Sequence, residues 1–78
     1  MDEVRPIITY QSEAISLEDV AIEILIDRPF NGFFGTRILV PTPSGTKEAR
    51  AAKLLEWVQR TVRQQVGKAA DHITFQAA

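Results

Sequence analysis

The segment Thr46–Gly67 is written as a long amphipathic helix, and the rest of the chain must supply a surface for its apolar stripe. Pro41, Pro43, Ser44 and Gly45 form a turn before it, Thr46 is an N-cap residue type, and Gly67 is a stop. Helix formers fill the interval, among them Ala49, Ala51, Ala52, Leu54, Leu55 and Glu56. At about 100° per residue, Ala51, Leu54, Leu55, Val58, Val62 and Val66 fall on one stripe. Arg63 and Lys68 near the end suit the negative pole of the helix dipole.

Strand patterns occupy most of what remains. Val20–Arg28 alternates Val20, Ile22, Ile24 and Ile26 with Ala21, Glu23, Leu25 and Asp27. Gly35–Pro41 places Thr36, Ile38 and Val40 on one face and Arg37 and Leu39 on the other. Asn31-Gly32 between them is a hairpin signal. The register that aligns the aliphatic faces pairs Ile26 with Ile38 and Ile24 with Val40, and sets Asp27 opposite Arg37. A competing pattern exists: Ser16 with Asp19 resembles a capping box, and Leu17–Asp27 has helical spacing. The β-branched content and the Asn-Gly turn favour the strand.

Val4–Gln11 reads as a further strand, and Pro6 near its start suggests a sheet edge. His72–Gln76 reads as a short last strand, with Ile73 and Phe75 on one side. The expected fold is α+β: one two-layer domain over residues 1–78, in the order β-β-β-α-β. A small, mostly antiparallel sheet carries the helix on one face.

A chain of 78 residues buries only about 60% of its unfolded surface. Such scaffolds are usually reinforced by disulfides, a metal or oligomerisation. Cysteine is absent and His72 is the single histidine, which removes disulfides, thiolate metal sites and histidine-cluster sites. No cofactor and no metal is expected. Association is the route left, so a homodimer or larger homo-oligomer is expected. No apolar run approaches the ~20 residues of a membrane span. Met1-Asp2-Glu3 is the opposite of a signal-peptide start, so no membrane partner and a cytoplasmic location are expected.

The net charge of −1 conceals a strong division. Residues 1–27 hold seven acids and one base, Arg5, while residues 28–78 hold eight bases and three acids. Asymmetry of this kind concerns partners rather than fold.

Catalytic groups are scarce. Any Ser-His-Asp arrangement has to use His72, and its chain neighbour Asp71 points to the opposite side of a strand. Pro43-Ser44-Gly45-Thr46-Lys47 stands where backbone N–H groups hold anions, but it lacks the Walker spacing and reads as a turn plus N-cap. No catalytic residue is assigned, and the protein is not expected to be an enzyme.

Two clusters are candidates for partner binding. Trp57 lies about 130° from the centre of the apolar stripe, beside Arg50, Lys53 and Arg60. Its ring either rests on alkyl stems of Lys53 and Arg60 or covers a sheet edge, or it is a hot spot ringed by cations. Phe30, Phe33 and Phe34 sit in a loop bracketed by Arg28 and Arg37. They either anchor a partner or fold back to seal a thin core. The reading reached is a self-associating, non-catalytic protein-interaction module. It would act as a small regulator or inhibitor, of the kind a phage or other mobile element carries. The alternative is nucleic-acid binding through the basic helix face around Trp57. Against that, a sequence pI near 5.7 is not the strongly basic footprint of a nucleic-acid binder.

Overall fold

A computed structural model describes residues 5–78. Its elements are β1 (Ile7–Ala14), β2 (Asp19–Ile26), β3 (Thr36–Pro41), α1 (Lys47–Val66), a 3-10 helix (Gly67–His72) and β4 (Thr74–Ala77). They make the expected α+β fold, a four-stranded sheet in the order β3-β2-β1-β4 with one long helix. β1–β2 and β2–β3 are antiparallel; β4 joins β1 in parallel.

β1, β2 and β3 place their even-numbered residues beneath the helix, and β4, paired to β1 with Phe75 beside Ile8, places Phe75 there. Ile8, Ile22, Ile24, Val20 and Val40 are buried there against Val58 and Val62 of α1. Ala70 and Ile73 close one end of this core, and Phe33 adds to it from the loop. α1 begins and ends where its sequence signals lie. The Thr46 hydroxyl accepts a hydrogen bond from the Ala49 N–H, and the Gly67 N–H donates to the Arg63 carbonyl. The stripe is buried unevenly. Val58 and Val62 are fully enclosed, Leu54, Leu55 and Val66 are half-buried, and Ala51 is exposed. Ala51 and Leu54 line a groove with Tyr10, Gln11 and Ser12 instead of packing tightly on β1.

Several expectations need correction. The β2–β3 register is shifted by four residues: Ile22 faces Ile38, Val20 faces Val40, and Arg37 lies opposite Glu23, not Asp27. An even shift keeps every side chain on its face, so the alternation cannot distinguish the two registers. Asp27 instead closes the β1–β2 ladder. Its carboxylate accepts from the Ile7 N–H at 3.0 Å, and its own N–H donates to the Ile7 carbonyl. The bond from the Ile7 amide holds this carboxyl below the ordinary carboxylate range, with Arg28 adding to the effect.

The Asn-Gly signal makes a turn, but a local one. Phe30 and Phe33 exchange backbone hydrogen bonds of 3.1 and 2.8 Å around Asn31 and Gly32. Both turn residues have positive φ, 51° and 83°, as a type I′ turn requires. This miniature hairpin sits within the long β2–β3 connection. Gly35 then returns the chain to the sheet at φ 108°, where an added Cβ would lie 2.9 Å from the Ile24 carbonyl oxygen.

Pro6 does not mark an edge, because β1 is flanked by β2 and β4. It stands just before the strand, where no ladder N–H is needed, and its carbonyl accepts from the Thr74 N–H. Val4, placed by the sequence at the start of this strand, lies outside the described residues, and the strand runs on to Ala14. The Leu17–Asp27 helix is absent. Ser16 instead serves the β1–β2 turn, its hydroxyl accepting from the N–H groups of Glu18 and Asp19. The last strand starts at Thr74, so Asp71 and His72 belong to the 3-10 helix, where Asp71 pairs with Arg63 at 2.6 Å.

The two loop glycines provide a contrast. Gly35→Ala is expected to destabilise by ~2–4 kcal/mol, because strain at positive φ adds to a backbone clash. Gly32→Ala, with open space around it, is expected to cost only about 1 kcal/mol. Urea unfolding of both variants checks this. Equal losses would mean that Gly35 does not approach β2 so closely.

Candidate interaction surface

One flank of α1, bordering the core, holds Arg50, Lys53, Trp57 and Arg60 together, at helical spacings of three, four and three residues. The Arg60 guanidinium stacks on the Trp57 ring, 5.0 Å from its centroid. Trp57 is half-buried and packs against the core. Its ring also lines a groove of about 310 Å³ beside the end of β3, shared with Pro41, Thr42, Pro43 and Lys53. The tryptophan therefore covers a sheet edge and also presents a surface there.

The basic face includes an acid that the sequence reading left out of the cluster. Glu56 pairs with Lys53 at 3.1 Å and with Arg60 at 3.4 Å. All three side chains are about half exposed, so each pair contributes little stability. Their effect is on the field: Glu56 offsets part of the positive charge that a polyanion would meet.

The loop phenylalanines separate. Phe33 is buried in the core and leaves the candidate surface. Phe30 is half-buried against the same core. Phe34 is exposed. Two of the three thus seal the core, and one remains available to a partner.

Besides Phe34, the exposed large apolar side chains belong to no cluster marked by the sequence. Leu17 is 98% exposed, Phe34 74%, Leu39 65% and Leu25 51%. Single exposed side chains are ordinary, so their placement matters. Leu39 belongs to β3, Phe34 lies just before it, and Leu17 is next to Glu18, whose carbonyl accepts from the Thr42 N–H just after β3. Three of the five therefore border one strand, while Leu25 lies on β2 and Ile15, 46% exposed, in the β1–β2 turn. The period-two pattern already put Leu39 opposite the core side; what it lacked was that no second layer covers that side.

That β3 is an outer strand follows from the sheet order. The Thr42–Glu18 bond fixes which residues bond inward. By antiparallel alternation Val40, Ile38 and Thr36 do so, and the backbone groups of Arg37, Leu39 and Pro41 point away from the sheet. Proline, which lacks an N–H, suits that outward position.

The uncovered sheet face bears Glu13, Asp19 and Glu23 with Arg37, and the outer helix face bears most of the bases. The division seen along the sequence thus becomes a division between the two layers. Tyr10 lines a groove with Ala77 and Ala78, not with His72, and burial pushes its hydroxyl pKa up. A concavity of about 520 Å³ contains the Arg63–Asp71 pair. Among the described residues no cluster of three His, Cys, Asp or Glu residues is placed to hold a metal ion. No helix among them is long and apolar enough to cross a membrane.

Comparison with protein-family models, curated proteins and solved structures finds no match to this chain.

Trp57→Ala is expected to destabilise by about 1–3 kcal/mol, because a half-buried ring leaves the core boundary. Arg60→Ala is expected to cost less than ~1 kcal/mol, the value of an exposed cation–π contact and ion pair. Chemical denaturation of the two variants checks this; a Trp57→Ala variant as stable as the parent would show that the ring is not packed.

Proposed function

We propose that this protein is a non-catalytic protein-interaction module that associates with itself. The observation carrying the reading is the concentration of large exposed apolar side chains, Leu17, Phe34 and Leu39, along a strand whose outer edge is unpaired. Exposed edge strands are templates for pairing with another chain; Arg37 and Pro41 limit that pairing along β3, and Leu39 between them leaves its middle apolar and open. The division of charge between the layers supports the same reading, since it gives two copies complementary surfaces for steering an encounter. A module of this kind acts by occupying a partner's surface, as a small regulator or inhibitor does.

Nucleic-acid binding through α1 is the weaker reading. It would have to use a basic face that Glu56 partly neutralises. A polyanion-binding surface normally gathers uncompensated bases.

Light scattering coupled to size-exclusion chromatography tests the proposal. The expected result is a mass that rises from the 8.7 kDa of one chain toward twice that value as concentration increases through the micromolar range. A mass fixed at one chain up to millimolar concentration would overturn it.

A further inference from the structure

We infer that the second copy docks edge to edge on β3, with the two strands antiparallel about a two-fold axis at Ile38. This rests on the self-association proposed above and specifies its surface. In that arrangement Arg37 of one copy lies opposite Leu39 of the other, and the reverse. These are the residues whose backbone groups point out of the sheet, so each pair exchanges two hydrogen bonds. Pro41 falls opposite Gly35, and its missing N–H costs one bond at each end.

The flanking residues match under the same symmetry. Phe34 stands four positions before Ile38, and Thr42 four positions after it. The two-fold axis therefore brings the exposed Phe34 of each copy to the other copy's groove, lined by Pro41, Thr42, Pro43, Lys53 and Trp57. Proline and tryptophan faces receive a phenyl ring well, and the Lys53 ammonium adds a cation beside it. An isologous interface needs this reciprocity, in which one patch holds both the knob and its socket.

The two-fold axis makes the two Arg37 residues diagonal neighbours on the uncovered sheet face, and Glu23, opposite Arg37 within each sheet, offsets that like charge. The area is also adequate. Each phenylalanine carries ~150–250 Å², so two rings and their two grooves bury on the order of 600 Å². The strands with Ile38 and Leu39 then bring the total toward the ~1,200 Å² of a specific interface.

The chain has no cysteine, so single-cysteine variants test the geometry. At the axis Ile38 forms a non-hydrogen-bonded pair with its own copy, whose ~4.5 Å Cα separation lies within disulfide range. Under mild oxidation Ile38→Cys is expected to give a covalent dimer, and a control on the outer helix face, Gln64→Cys, is not. Phe34→Lys, at a side chain that the folded monomer leaves exposed, is expected to weaken association at least tenfold while circular dichroism stays unchanged. Leu39→Pro, which removes an outward N–H, is expected to do the same. If the parent protein dimerises but Ile38→Cys cross-links no faster than the control and Phe34→Lys leaves the dissociation constant unchanged, the edge assignment falls and self-association stands. If the parent is monomeric throughout, both fall.

Discussion

Everything else in this structure depends on one packed layer, Val58 and Val62 of a single helix set on Ile8, Ile22, Ile24, Val20 and Val40 of the sheet. One helix covers one face of a four-stranded sheet and no more. The core is therefore one-sided, and with no cysteine in the chain nothing covalent reinforces it. The other face, the outer edge of β3 and the first turns of α1 are left to solvent or to a partner. The miniature hairpin at Phe30–Phe33 supplements the core by inserting Phe33, and Gly35 lets the chain return close to β2 after doing so.

What the sequence revealed, and what it concealed, follows from the kind of signal each feature leaves. The helix was legible to within a residue because its boundaries are written in local chemistry: a threonine whose hydroxyl caps and a glycine that ends the last turn. The faces of β2 and β3 were legible because burial alternates along a strand. Their register was not, since a slip of four residues moves no side chain to the other face. Asn31-Gly32 correctly announced a type I′ turn but could not say which segments it joins. The position of β1 has no local mark, because Pro6 lies just outside the strand and so says nothing about whether the strand is an edge. The edge character of β3 depends on strand order, which arises from long-range pairing and has no local signature.

The candidate site shows the same limit. Trp57, Arg50, Lys53 and Arg60 could be grouped from helical spacing alone, but Glu56 enters the group through side-chain geometry. Phe30, Phe33 and Phe34 are indistinguishable as three aromatics in a loop, and only folding assigns Phe33 to the core and Phe34 to the surface. The acids of β1 and β2 and the bases of α1 become two faces of a thin slab. Their separation survives folding because the strands and the helix are different layers.

A one-sided core, an unpaired strand and an exposed aromatic beside it carry the proposal that this chain meets its own copy through the outer edge of β3. Amide hydrogen exchange, followed by NMR at increasing protein concentration, tests that claim most directly. Under edge-to-edge docking the Arg37 and Leu39 amides, which point out of the sheet, exchange rapidly when dilute and at least tenfold more slowly when concentrated. The amides of the solvent-facing helix residues should keep their rates. Arg37 and Leu39 rates that do not change with concentration, while the protein self-associates, would contradict it.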